Sequence, residues 1–371
     1  MSSPKSIGGP PGKSAPQSSA RRRSGRRRCR TSTRRSCSPR RADRRPFMTV
    51  MTMAQATVAA IAEEMRRDPR VFLTGFGVTH YGGVYDSAKG LWEEFGDQRV
   101  IEMPMTETGY FGICAGAAMF GMRPIFDICF AEYIPYITEP LCADMAAVHY
   151  GTAGKAHVPI VICAKQGVAG NLSHVRGFNS WLIHVPGLKV VAPATPRDAR
   201  GLWKSAIRDE NPVVILESLA AWVGPPEEVP ETEELIPIGQ AEVKRRGRDV
   251  TVIAAGETVR LALEAAARLA GDGIEAEVID LRTLAPLDFD TIVASVRRTG
   301  RVVIVHSDWK IGGFGAEIAA TIGERAHAAL RTWIRRVAPP HLPPPFRREL
   351  EEAFLPSVDG VVSAVREVLR G

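Results

Sequence analysis

Two ionisable residues stand where their type and surroundings could do chemistry. Glu107, in MPMTETGYFG, marks the point where a loop runs into an apolar helix of small residues. A carboxylate there can be an ordinary first-turn charge, favoured by the helix dipole. It can equally be a partly desolvated group that holds and releases a proton. His174 lies in the Gly-rich loop QGVAGNLSHVRGF, directly after an apolar strand pattern. Open α/β sheets bind ligands beyond the carboxyl ends of their strands, although a loop His is otherwise simply solvated. Local pattern leaves both roles open at both positions.

Other chemistries lose their support. The sequence has no GxxxxGK(S/T) phosphate loop, no HExxH, no paired Cys/His spacing and no GxSxG elbow, so no metal site is expected on this chain. GGFGAE at 312–317 lacks the GxGxxG spacing of a dinucleotide site and reads as a tight strand–helix turn. GDG at 271–273 matches the start of a magnesium–diphosphate motif, but no Asn follows it and it falls between a helix and a strand. It reads as a plain turn. The 6 cysteines are too few for a disulfide scaffold in 371 residues and suit buried thiols in a reducing compartment.

The elements that must position these residues alternate. Helical spacing over 57–69 is followed by strand VFLTGFGV (71–78), a close-packed helix at 107–122 and strand PIFDICF (124–130). A long helix is predicted from about Ile137 to Tyr150, then strand VPIVICAK (158–165) and the His174 loop. Strand LKVVAP (188–193), helix 196–209 and strand PVVILES (212–218) complete this half. An acidic, Pro-rich stretch follows, and the pattern restarts with strands at 249–256, 274–281 and 301–308 alternating with helices at 257–270, 288–298 and 313–328. Strands apolar throughout and separated by helices predict parallel sheets covered on both faces, in two α/β domains. The expected division is a tail over 1–47, a first domain over 48–222, a linker over 223–240 and a smaller domain over 241–371.

Charge divides the chain in the same place. The formal net charge is +7, yet the first 45 residues carry 15 basic side chains against Asp43 alone, leaving 33 basic and 40 acidic residues beyond them. The folded part is therefore acidic, and the basic balance gives no reason to expect a nucleic-acid partner for it. Rich in Ser, Arg, Pro and Gly, the tail is expected to be disordered. It fits three readings: an upstream extension before a true start at Met48, Met51 or Met53, an organelle transit peptide, or a polyanion-binding arm. Apolar runs stop short of a membrane span, so a soluble, cytoplasmic protein is expected, or one in an organelle matrix if the tail is a transit peptide.

Taken together, DPRVFLTGFGVTHYGGVYDSAKGLWEEFGDQRV (68–100), MPMTETGYFGICAGAAMFGMRPIFDICFAEYI (103–134), HVPGLKVVAPATPRDARGLWKSAIRDENPVVILES (184–218), GIEAEVIDLRTLAPLD (273–288), GGFGAEIAA (312–320) and LEEAFLPSV (350–358) resemble one family. It is the β subunit of the thiamine diphosphate-dependent 2-oxo acid dehydrogenases, which act on pyruvate, branched-chain 2-oxo acids or acetoin and are related to transketolase. The resemblance implies a transketolase-like pyrimidine-binding domain with a parallel sheet, followed by a transketolase C-terminal domain. It further implies an α2β2 heterotetramer whose α subunit supplies most of the magnesium and diphosphate site, and a lipoyl-bearing acyltransferase as the acceptor of the acyl group from a small 2-oxo acid. Glu107 falls on the family's PI(A/S/T)E acid, which hydrogen-bonds the aminopyrimidine ring. Tyr133 falls on the aromatic that packs against that ring, and His174 on the HSQS histidine that assists acyl transfer to lipoamide.

The chain departs from the family at the loops. GED is replaced by Gly75-Phe76-Gly77, HSQS by His174-Val175-Arg176-Gly177, a Gln by Tyr136, DQ by Glu139-Pro140 and HE by His306-Ser307. A 2-oxo acid dehydrogenase β subunit is the leading expectation. Acetoin cleavage or another acyloin or carboligation reaction is the alternative, and a non-catalytic scaffold subunit is the third.

Overall fold

The computed structural model describes residues 47–167 and 177–371. The tail and the segment 168–176, which includes His174, lie outside the described residues.

The strands are β1 (Met48–Met51), β2 (Val71–Gly75), β3 (Val100–Glu102), β4 (Arg123–Phe130), β5 (Val161–Gln166), β6 (Lys189–Val191), β7 (Val213–Ser218) and β8 (Glu227–Pro230). Beyond them come β9 (Glu242–Arg245), β10 (Val250–Ala254), β11 (Ala276–Asp280), β12 (Thr283–Ala285), β13 (Val302–Val305) and β14 (Arg335–Val337). The helices are α1 (Met53–Arg67), α2 (Leu91–Phe95), α3 (Glu107–Met119), α4 (Val148–Gly151), α5 (Asn179–Ile183), α6 (Pro196–Arg208), α7 (Leu219–Trp222), α8 (Thr258–Ala270), α9 (Phe289–Thr299), α10 (Phe314–Ala326), α11 (Arg348–Phe354) and α12 (Val358–Arg370).

The first sheet runs β12-β6-β7-β5-β4-β2-β3 and the second β14-β13-β10-β11-β9. Every pairing from β3 to β6 in the first sheet is parallel, as are β14-β13-β10-β11 in the second. Strands β2, β5, β7, β10, β11 and β13 are buried along their whole length. That is why they read as continuous apolar runs rather than alternating ones. One apolar cluster continues from Phe126 and Ile162 of the first sheet and Phe111 of α3 into Ile253 and Ile304 of the second sheet and Ile322 of α10. The two sheets therefore share buried surface, each large side chain contributing about 1.5–3 kcal/mol by its removal from water.

The local signals explain the boundaries of the helices. Thr52 and Gln55 form a capping box at the start of α1. Thr195 caps α6, whose first residue is Pro196, where a missing N–H costs nothing. The GDG turn behaves as expected. The Gly273 N–H donates to the Ala270 carbonyl, and Gly273 takes φ 76°, closing α8.

Two stretches differ from expectation. Instead of one long helix from Ile137 to Tyr150, there is a 3-10 stretch over Ala131–Ile137, a π turn over Glu139–Asp144, another 3-10 turn over Met145–Ala147 and the single turn α4. Pro140 has no N–H to give to the carbonyl four residues earlier and crowds it, so a regular helix cannot pass. The freed carbonyl is that of Tyr136, and the Thr108 hydroxyl donates to it at 2.6 Å. Within the predicted linker, β8 pairs antiparallel with β1, joining Met48 to Pro230 and Met51 to Glu227. Strand β12, from beyond residue 241, adds antiparallel to β6 at the margin of the first sheet.

Candidate active site

The carboxyl ends of β2, β4, β5 and β7 lie side by side in the first sheet. Their apolar runs close on polar groups: Asp127 in β4, Lys165 and Gln166 in β5, Glu217 and Ser218 in β7, all buried. Lys165 Nζ sits 3.2 Å from Glu217 Oε2 and 4.1 Å from the centroid of the Trp222 ring. The Trp203 indole donates to Glu217 Oε1 at 3.0 Å. Burial alone would lower the affinity of Lys165 for its proton, but the charges of Glu217 and Asp127 outweigh it and push its pKa up. Lys165 is thus held as a cation beneath the sheet's end.

Strand β4 then turns sharply. Cys129 takes φ 67°, in the left-handed region, and its N–H donates to Asp127 Oδ1 at 2.9 Å. The other oxygen, Oδ2, accepts from Ser87 Oγ at 2.8 Å. Ser87 follows Tyr85 and Asp86, which also have left-handed φ of 55° and 62°. Such conformations cost about 1–3 kcal/mol apiece for residues with a Cβ and cluster at functional sites. Burial pushes the Cys129 thiol up, and the neighbouring charge of Asp127 adds to this. Cys129 is therefore no thiolate nucleophile.

Glu107 is the first residue of α3, half-buried, with its side chain at the positive end of the helix. Tyr133 is half-buried on the 3-10 stretch that follows β4 and packs against the core. Its ring lies 6.0 Å from that of Phe130 and 6.1 Å from that of Tyr136, and Phe130 is 6.5 Å from Tyr85. The Tyr133 phenol is pushed up, first by burial and further by the charge of Glu107. Thr108, the residue after Glu107, donates to the Tyr136 carbonyl, so the start of α3 is tied to the 3-10 stretch that carries Tyr133. His174 lies outside the described residues.

The departures at the loops take several forms. At Gly75-Phe76-Gly77, Glu102 takes the turn: its carboxylate accepts from the Gly77 N–H at 2.6 Å and from the Thr79 hydroxyl at 2.9 Å. A Cβ on Gly75 would stand 2.8 Å from the Asp127 carbonyl, so only Gly fits there. Phe76 and Tyr136 are exposed aromatics. His306, by contrast, faces no open site. It is fully buried with its ring 4.7 Å from that of Phe314, and burial pushes its pKa down to about 4. Neither ring nitrogen reaches a partner within hydrogen-bond geometry, and the Asp308 backbone compensates only in part.

Sequence reasoning passed over Asp127, Ser87, Lys165 and Glu217. The signal was present for three of them, because Asp127, Lys165 and Glu217 are charges inside otherwise apolar strands. Such placement requires a partner or a task. Among the described residues there is no group of three His, Cys, Asp or Glu that could hold a metal ion. Nor is any of their helices long and apolar enough to cross a membrane.

Residues 49–221 match the transketolase pyrimidine-binding domain, and 239–361 the transketolase C-terminal domain. The chain is 41% identical over 324 residues to the 2-oxoisovalerate dehydrogenase subunit beta of Bacillus subtilis, covering 86% of this chain and 99% of that one. It is 42% identical over 320 residues to the pyruvate dehydrogenase E1 component subunit beta of Rickettsia felis, covering 86% and 98%. The mitochondrial counterpart from Drosophila melanogaster is 42% identical over 327 residues, covering 86% and 90%. Among solved structures, a split-gene transketolase, described as an inactive beta4 tetramer, superimposes with a TM-score of 0.71 at 26% identity, covering 87% of this chain and 99% of that one.

Proposed function

Because this chain belongs to the family of 2-oxo acid dehydrogenase E1 β subunits, built from transketolase-type pyrimidine-binding and C-terminal domains, we infer that it is the β half of an enzyme that oxidatively decarboxylates a small 2-oxo acid. The acyl group is passed on to lipoamide on an acyltransferase. The observation that carries this reading is Glu107 at the start of α3, which Thr108 ties to the stretch that carries Tyr133, within a chain of which 86% matches such subunits.

The residues present fit one half of thiamine diphosphate. Glu107 offers a carboxyl at a half-buried helix start, and Tyr133 offers a half-buried aromatic face. The half that holds the magnesium ion and the diphosphate is assigned to an α subunit. When bound, the cofactor supplies a nucleophilic carbon and an electron sink for decarboxylation. The work of this chain is to orient and to move a proton. Glu107 would hold the pyrimidine ring nitrogen of the bound cofactor through a shared proton. Tyr133 would pack its aromatic face against that ring. His174 assists acyl transfer to the lipoyl group.

Assembly with other subunits is supported by α3. Gly112, Ile113 and Met119 are exposed on it, and a Cβ on Gly112 or Gly116 would meet nothing within 4 Å. This leaves room for another helix to approach closely, as an α2β2 arrangement needs. In a cell this enzyme would work in the cytoplasm, or in an organelle matrix if residues 1–47 address it there. The test is to purify the chain with an α subunit and titrate thiamine diphosphate. Turnover of pyruvate, branched-chain 2-oxo acids and acetoin is then compared with an artificial electron acceptor. Cofactor binding by the mixture with 2-oxo acid turnover supports the reading, and turnover of acetoin alone replaces it with acyloin cleavage. A mixture that binds no cofactor overturns it.

A further inference from the structure

Among the described residues, five non-glycine positions have left-handed φ: Tyr85, Asp86, Cys129, Ala153 and Arg282. Three of these five converge on one buried carboxylate, that of Asp127. One of its oxygens takes the Cys129 N–H at 2.9 Å and the other takes the Ser87 hydroxyl at 2.8 Å, directly after Tyr85 and Asp86. The surroundings are tight. A Cβ on Gly83 would stand 2.2 Å from Ser87 Oγ, and one on Gly75 would stand 2.9 Å from the Asp127 Cβ. Pairing between β4 and β5 shifts register between Asp127 and Phe130, so the strand bulges at the residues that Asp127 holds before it pairs again at Phe130.

Strain of this kind persists only where the surroundings impose it; Cys129 is buried and the Trp222 indole holds the Tyr85 carbonyl at 2.9 Å, but the rings beyond face outward. Tyr85 is 43% exposed, and Phe130 and Tyr133 are half-buried. What the two braced turns accomplish is to set Tyr85 against Phe130 and Phe130 against Tyr133 in edge-on contacts at 6.5 and 6.0 Å. We propose that Asp127 is a positioning residue: by holding the Tyr85–Ser87 turn and the Cys129 corner together, it shapes the ring-lined surface on which Tyr133 receives the aminopyrimidine ring of thiamine diphosphate. This rests on the functional reading above and adds to it a residue that touches neither cofactor nor substrate.

The experiment is an equilibrium titration of thiamine diphosphate into the assembled α/β complex by calorimetry, with assembly checked by sedimentation. Asp127→Ala removes both braces and is expected to weaken binding about tenfold or more, with turnover at saturating cofactor within about threefold of wild type. Asp127→Asn keeps an acceptor for the Cys129 N–H, and the Ser87 hydroxyl can turn round to accept from the amide. It should bind within about threefold of wild type. Ser87→Ala removes one brace and should fall between them. Wild-type affinity in Asp127→Ala overturns the proposal, as does equal damage by Ala and Asn, or a loss that merely tracks loss of assembly. If Asp127→Ala does not assemble, Ser87→Ala decides, and unchanged affinity there overturns the proposal. A wild-type complex without cofactor binding would bring down the functional reading and this proposal together. Wild-type binding that the variants leave untouched brings down this proposal alone.

Discussion

The two parallel sheets are built from the same kind of apolar strand, yet they finish differently at their carboxyl ends. In the first, β4, β5 and β7 close on Asp127, Lys165 and Glu217, and the chain beyond β4 turns through a strained corner into a surface of half-exposed rings. In the second, β13 closes on His306, fully buried against Phe314 beneath the start of α10. Gly313 and Gly315 pack so closely on the His306 ring that a Cβ would fall within 2.8 Å of it. One end places charge and strain close to a solvent-facing site; the other seals a polar group inside the core. Sheets of this type bind ligands at their carboxyl ends; the second keeps buried polar groups there too, Asp280 and Asp308, but its His306 is sealed away from solvent.

The most direct way to break this contrast is at Glu107. Glu107→Gln keeps size and hydrogen-bonding capacity but not the exchangeable carboxyl proton. In the α/β complex it is expected to lower turnover by roughly 10²–10⁴-fold, the usual contribution of a positioned acid–base group. The melting temperature should stay within a few degrees, because the side chain is half-exposed at a helix start. Turnover close to wild type would remove the first sheet's claim to the chemistry. The next effect is on stability. Lys165→Met leaves Glu217 buried without its ion-pair partner, which should cost about 3–5 kcal/mol in urea denaturation. Lys165→Met/Glu217→Leu should recover most of that, because a buried pair contributes little net stability over well-packed apolar residues. A single variant as stable as wild type would show that the charge under the first sheet is incidental.

The second sheet has its own signature, in pH. The buried His306 has a folded-state pKa of about 4 against an ordinary value of 6.5. Above pH 6.5 the ring is neutral in both states and contributes no slope. Between 6.5 and 4 the unfolded chain takes up a proton that the folded chain refuses, so stability falls as pH drops through this window. The loss reaches about 3 kcal/mol at and below pH 4. His306→Leu should flatten this part of the profile in urea melts at pH 7.0, 5.5 and 4.5. A variant that loses as much stability as wild type between those values would mean that His306 is not sealed.

What could be read from the sequence divides along the same line. Uniformly apolar strands and capped amphipathic helices carry their own information, so β2, β5, β7, β10, α6 and α8 were legible in place. Helix α12 carries the same signals, with Ser357 capping it and valines at 361, 362, 365 and 368 buried. Strands of three or four residues such as β3, β8 and β12 owe their existence to a neighbouring edge rather than to pattern, and local sequence cannot show that edge. The break at Pro140 was legible in principle, but the π turn and the bond from Thr108 to the Tyr136 carbonyl depend on α3 arriving alongside. Local pattern singled out Glu107 but left its role open, and only resemblance singled out Tyr133. Asp127 had a signal, a charge amid PIFDICF, but its task depends on two turns distant in sequence.

The smallest expected effect separates a true magnesium motif from its likeness. Asp272, in GDG, sits in the turn closing α8, half-exposed and paired with Arg366 at 2.6 Å. An exposed pair of this sort contributes at most about 1 kcal/mol. Asp272→Ala should therefore shift stability by no more than that, and the magnesium dependence of turnover in the α/β complex should be unchanged. If this substitution instead raised the magnesium requirement, the cation would have a ligand on the second sheet. The contrast between a working first sheet and a sealed second one would then fail at the residue where it predicts nothing should happen.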